Sequence, residues 1–228
     1  MKMSKKLQKQ NHFALKRVKP LTINQEDTFR AFYEGQHLLL HGVAGTGKTF
    51  ISLYLALNEI LRGNSNFDKI VILRSVVPSR DMGFLPGNIK EKTRVYEDPY
   101  REICDDLFGR GDGYDILRNK GLIEFGTTSY LRGITFRNAI VIVDESQNMN
   151  YHELDTVITR IGENCRILFC GDYRQSDLSK SDRTGLLDFM RIIDKMGCFE
   201  KIEFDTNDIV RSALVKNYIV TKLELGFA

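Results

Sequence analysis

The chain has 228 residues, 42% of them hydrophobic and 28% charged, which excludes wholesale disorder and fits one α/β domain. No apolar run approaches the roughly 20 residues that cross a bilayer, and the N-terminus lacks the apolar core of a secretory signal, so a cytoplasmic, non-membrane protein is expected. The net charge of +3 is uneven, because the first 19 residues hold seven basic and no acidic side chains. That stretch is expected to be a flexible arm over 1–19, either simply solvated or following a nucleic-acid backbone. The four cysteines show no metal-ligand spacing and read as free thiols.

In chain order, Pro20 to Asn24 reads as a turn into a helix near Gln25–Tyr33. The short apolar run His37–Leu40, closed by glycines, suits a strand buried on both faces. Lys48–Leu61 has apolar residues at helical spacing, and Ile70–Leu73 is a second buried strand. Residues 75–118 contain Pro78, Pro86, Pro99 and several glycines, so an insertion or lid is expected there, with short helical stretches near Ile89–Tyr96 and Tyr100–Phe108. Strands follow at Leu122–Phe125, Ala139–Val143 and Arg166–Cys170, with a helix at Tyr151–Ile161 between the last two. A sixth strand at Lys201–Phe204 is expected on a sheet edge, and Asp208–Glu224 is expected to close the chain as a helix. Buried strands alternating with helices predict an open, mostly parallel sheet with helices on both faces, occupying 20–228 as a single domain. Ligands bind such sheets beyond the carboxyl ends of the strands.

The chemistry-bearing motifs fall there. Gly42-Val43-Ala44-Gly45-Thr46-Gly47-Lys48-Thr49 matches G-x-x-x-x-G-K-[ST] between a predicted strand and a predicted helix. Glycines let the backbone N–H groups converge on phosphate oxygens, and the helix N-terminus adds partial positive charge. Lys48 is placed to reach the β- and γ-phosphates and Thr49 to coordinate Mg²⁺, with Phe50 next to them in the nucleotide-binding set. Val141-Ile142-Val143-Asp144-Glu145 reads as the second half of the site, Asp144 holding Mg²⁺ and Glu145 polarising the attacking water. Gln175, after the next strand, reads as a γ-phosphate sensor, and Gln25 as a reader of the adenine edge.

These residues resemble the PhoH-like family of P-loop ATPases, related to the superfamily 1 helicase core. The stretches that carry the likeness are "GVAGTGKT", "ILRSVVPSRDMGFLPGNIKEK", "TTSYLRGITFRNAIVIVDESQN", "TRIGENCRILFCGDYRQSDL" and "FDTNDIVRSALV". The resemblance implies a RecA-like fold, ATP with Mg²⁺ as ligands, and action on RNA or single-stranded DNA. It also points to Arg211, although Ser212-Ala213 stands where the family usually has His-Pro. Ser75 and Ser146 replace a family proline and alanine. A lone RecA-like core lacks the second core that supplies an arginine finger in helicases, so a homo-oligomeric ring, a hexamer, is expected, with Arg211 acting in trans. Arg74, Arg80, Arg132, Thr127 and Thr128 are candidates for nucleic-acid phosphate contacts, or for ion pairs within the lid or a subunit interface. Tyr130 could stack on a base or simply pack. The alternative function is a nucleotide-dependent assembly switch with no nucleic-acid track. A small-molecule kinase fits less well, since paired acids suit water activation. A GTPase lacks its Asn-Lys-x-Asp guanine signature here.

Overall fold

The computed structural model describes residues 13–75, 89–128, 131, 133–173 and 180–227. In chain order the elements are α1 (Ile23–Tyr33), β1 (His37–Gly42), α2 (Lys48–Ile60), β2 (Lys69–Arg74), α3 (Ile89–Phe108), α4 (Gly113–Asn119), β3 (Ile123–Thr127), β4 (Ala139–Asp144), α5 (Tyr151–Thr159), β5 (Cys165–Gly171), α6 (Lys180–Met196), β6 (Phe199–Phe204) and α7 (Ala213–Glu224). Two single 3₁₀ turns, Ser146–Asn148 and Thr206–Asp208, lie between them.

The six strands form one sheet in the order β3-β2-β4-β5-β1-β6, and every pairing is parallel. Such a sheet must be covered on both faces, which explains why all six residues of β4 are buried. One face packs against α1, α2, α3 and α4 through Phe32, Ile51, Leu55, Tyr100 and Leu117. The other packs against α5 and α6 through Leu154, Val157, Leu186, Phe189 and Ile193. Nine of the thirteen residues of α2 are buried, so it reads as apolar nearly all round.

The expected strands are all present, with their ends moved by no more than two residues. Four helices differ from expectation, in three ways. First, Pro99 does not divide the insertion into two short helices, because α3 runs unbroken over twenty residues with the proline inside it. An interior proline costs about 3 kcal/mol, and burying Tyr100, Cys104, Leu107 and Phe108 along one face offsets that cost. Second, α4 and α6 stand where no element was expected. Third, the closing helix starts at Ala213, since Ile209 leaves the preceding turn extended and the Val210 amide bonds the phosphate loop at Gly45.

Residues 13–19 of the expected arm are described, and residues 1–12 lie outside the described residues. Phe13 stacks on Phe108 with ring centroids 4.1 Å apart, and the Lys16 amide donates to the Leu107 carbonyl at 2.8 Å. Residues 13–16 are therefore strapped along α3. All four cysteines are unpaired, and among the described residues no helix is long and apolar enough to cross a membrane.

Gly42 ends β1 at φ +115°, and an added Cβ would stand 2.0 Å from the Phe204 carbonyl oxygen of β6. That carbonyl accepts from the Val43 amide at 3.0 Å, so the clash falls on a bond that anchors the start of the loop. Gly42→Ala is expected to cost at least about 3 kcal/mol, from left-handed backbone strain plus overpacking. A denaturant midpoint corresponding to a loss below about 1 kcal/mol would contradict this.

Candidate nucleotide site

The strand order separates the two halves of the site by one strand. β1 delivers the phosphate loop, β4 delivers Asp144 and Glu145, and β5 lies between them. The loop itself is shaped by Gly45 and Gly47, at φ +77° and +85°. Gly47 caps α2 with no side-chain hydrogen bond, so the first amides of the helix stay available to an anion. Gly42 and Val43 are buried beneath the loop, whereas Ala44, Gly45, Thr46, Gly47, Thr49 and Phe50 line a cleft of about 940 Å³.

Lys48 is buried and bent back onto its own loop. Its Nζ donates to the carbonyls of Gly42 and Val43, both at 2.8 Å, and to Thr46 Oγ1 at 3.3 Å. Burial lowers its pKa, and the nearby Asp172, Glu145 and Asp144 push the other way. These three bonds hold an ammonium at the spot where phosphate oxygens would replace carbonyls as acceptors.

The Thr49 hydroxyl donates to Asp144 Oδ1 at 2.7 Å, which joins the two halves of the site. Asp144 Oδ2 accepts from the Tyr100 hydroxyl of α3 at 2.8 Å. Burial, then the adjacent Glu145, raise the Asp144 pKa, and the two hydroxyl donors and Arg74 oppose the rise. A cation set against this carboxylate would remove that penalty. The donors are oxygens only, and among the described residues no cluster of three His, Cys, Asp or Glu occurs. A hard ion that keeps several waters and shares its shell with phosphates fits this sparse set, and Mg²⁺ behaves in that way.

Glu145 is one of three described non-glycine residues at positive φ, with φ 51° and ψ 38°. Such conformations gather at functional sites and need support from their surroundings. Gln147 provides support here. Its Nε2 donates to Glu145 Oε2 at 2.6 Å, and its Oε1 accepts from the Asp172 amide at 3.1 Å. Gln147 therefore ties the acid to the end of β5, a role the sequence reading missed. Ser146 makes a parallel link through its hydroxyl to the Cys170 carbonyl at 2.9 Å. Gly171 is what allows this approach, since a Cβ there would lie 2.7 Å from Ser146 Oγ.

Gln25 is buried beside the loop. Its Nε2 donates to the Thr46 carbonyl at 3.1 Å, and its Oε1 accepts from the Leu21 amide at 2.8 Å. Each atom keeps one further hydrogen-bonding position, so the side chain braces the loop and can still meet a base edge.

Arg211 lies beside the phosphate loop of its own chain. The Val210 amide donates to the Gly45 carbonyl at 3.1 Å, and the Arg211 side chain lies against Gly45 of its own chain, lining the same cleft. The Val210–Gly45 bond, just before α7, carries it there.

The nucleic-acid candidates are scattered. Arg74 lines the nucleotide cleft, with its guanidinium 6.0 Å from the Tyr96 ring centroid. Thr127 and Thr128 are buried, and the Thr128 hydroxyl donates to Glu153, which also accepts from Ser75 Oγ at 3.1 Å. Arg80, Tyr130, Arg132 and Gln175 lie outside the described residues.

Comparison with known proteins decides the family. The model of the family described as "PhoH-like protein" matches residues 17–222. The chain belongs to the PhoH-like family. It is 32% identical over 205 residues to the PhoH-like protein of Bacillus subtilis (strain 168), covering 90% of this chain and 63% of that one. It is 34% identical over 187 residues to Protein PhoH of Escherichia coli (strain K12), covering 81% and 52%. The PhoH-like chain thus spans between half and two thirds of the length of these relatives. In fold it is similar to the large terminase of a thermophilic bacteriophage, with a TM-score of 0.54 and 12% identity over 88% of this chain and 50% of that chain. The same terminase in complex with ADP aligns at a TM-score of 0.53, covering 87% of this chain and 49% of that chain. Family, fold and loop together make this a P-loop NTPase domain of the RecA-like kind.

Proposed function

We propose that this domain binds ATP with Mg²⁺, hydrolyses it, and couples loss of the γ-phosphate to action on RNA or single-stranded DNA. The observation that carries the reading is the 2.7 Å bond between Thr49 and Asp144, which brings the phosphate loop and the acid-ended strand into one site beside Lys48 and Glu145. The PhoH-like family and the terminase that binds ADP support the nucleotide.

In this reading the loop amides and Lys48 take the β- and γ-phosphates, Lys48 exchanging its two carbonyl partners for phosphate oxygens. Thr49 and Asp144 would hold Mg²⁺, which neutralises developing phosphate charge when bound. Glu145, fixed by Gln147, orients a water for attack. Arg211 places its cation on the nucleotide of its own chain. Gln25 reads the base edge, and Gln175 senses the γ-phosphate.

The test is hydrolysis measured with and without single-stranded RNA or DNA at two salt concentrations. Stimulation that falls steeply with salt is expected, as for any phosphate-backbone contact. Hydrolysis indifferent to both polymers would leave the second reading, nucleotide-dependent assembly. One feature favours that second reading: α7 buries no residue and exposes Leu214 and Tyr218 just beyond Arg211. Mass measured with and without nucleotide separates the two, because only the assembly reading requires a larger particle in ATP.

A further inference from the structure

Asp144 has two oxygens, and the structure fills each with one hydroxyl. Thr49 faces Oδ1 from the phosphate loop, and Tyr100 faces Oδ2 from α3. The second contact comes from outside the strand-and-loop frame. Tyr100 is 1% exposed, and its ring lies 5.8 Å from Phe125 of β3. Arg74 pairs in register with Asp144 across β2 and β4, so cation, phenol and carboxylate are held together at one sheet end.

The helix that carries Tyr100 is itself anchored. Glu97, one turn earlier, accepts from the Tyr114 hydroxyl at 3.0 Å and pairs with Arg118, which locks α3 to α4. The strap fixes the other end through the Lys16 amide and Phe13. The phenol is thus a fixed donor against a carboxylate that would otherwise turn about its Cβ–Cγ bond. A carboxylate gripped on both oxygens keeps its plane, and its remaining lone pairs keep one direction.

We propose that Tyr100 is a positioning residue for the Mg²⁺ site, holding the plane of Asp144 from the α3 insertion so that the carboxylate is pre-set for the ion beside Thr49. The inference rests on the nucleotide reading above and adds a residue that acts through Asp144. It also makes α3 part of the metal site, so a displacement of this helix would be felt as a loss of metal affinity.

Tyr100→Phe removes the hydroxyl and keeps the ring, so the packing against Phe125 survives. Binding of a fluorescent ATP analogue is measured in EDTA and across a Mg²⁺ titration, with thermal melting in EDTA as the check on folding. In EDTA, Tyr100→Phe is expected to bind the analogue like wild type. Across the titration it is expected to need about 10- to 100-fold more Mg²⁺ for half-saturation, the usual loss when a carboxylate's supporting donor is removed. Phe125→Leu perturbs the ring and leaves the hydroxyl, and it is expected to titrate like wild type. A Tyr100→Phe half-saturation equal to wild type would overturn the inference alone. An equal shift in Phe125→Leu would also overturn it, by reducing the effect to packing. A wild-type protein that bound no analogue in either condition would overturn the nucleotide reading, and this inference with it.

Discussion

Lys48→Ala is expected to lower hydrolysis by at least about 10²–10³-fold, the range seen when one preorganised donor to developing charge is deleted. The lysine is drawn into the interior of the phosphate loop, and its three bonds to Gly42, Val43 and Thr46 show the loop already shaped around an ammonium. Truncation removes the charge that would meet the β- and γ-phosphates. It also takes the lysine donor from the Gly42 carbonyl, at about 1–3 kcal/mol where water cannot reach it, whereas the Val43 carbonyl keeps the Thr46 hydroxyl at 2.9 Å. Relief of a desolvated cation opposes that cost, since burial is the first cause of the lowered Lys48 pKa. The net expectation is a folded protein with a modestly lower melting temperature, weak nucleotide affinity and no measurable turnover. Turnover within tenfold of wild type, measured beside a normal melting curve, would contradict the assignment.

Glu145→Gln separates binding from chemistry. The amide is isosteric with the carboxylate, and its own oxygen can accept from Gln147 Nε2 as Glu145 Oε2 does at 2.6 Å. Geometry at the left-handed residue should therefore hold, along with the link through Gln147 to the Asp172 amide. What is lost is the negative charge that polarises the attacking water, and general-base assistance of this kind contributes about 10²–10⁴-fold. The expected protein binds ATP at least as well as wild type and retains it unhydrolysed. Single-turnover measurement with labelled ATP reads both quantities. Cleavage at the wild-type rate would remove Glu145 from the mechanism.

The parts legible in the sequence share one physical property: local determination. Each buried strand is a short run of mostly apolar residues, β1 and β5 closed by Gly and β4 by Asp, and the phosphate loop carries its glycines, lysine and threonine within eight positions. Asp144-Glu145 is readable because an apolar strand delivers it. The sixth strand is readable as an edge because its residues are only half apolar, as its mixed burial bears out. What is not legible depends on long-range placement. Tyr100 meets Asp144 across 44 residues, and no local pattern marks a tyrosine in an insertion as a partner for a strand-end acid. Local propensity breaks the insertion at Pro99, whereas burial of the following turns decides that α3 continues. Arg211 reads as an arginine for a neighbouring chain because a lone core needs one, whereas its placement beside Gly45 of its own chain depends on the path of Ile209–Ser212. Gln147 has a faint signal, a polar side chain two residues beyond the acid, but its value comes from spanning to β5.

Calorimetric titration of the protein with ATP, run with Mg²⁺ and with EDTA, tests the site most directly. The Thr49–Asp144 arrangement predicts saturable one-site binding that Mg²⁺ tightens, and predicts that Lys48→Ala loses it. An absence of binding heat with Mg-ATP at protein concentrations well above the micromolar range, from a sample with an intact melting transition, would contradict it.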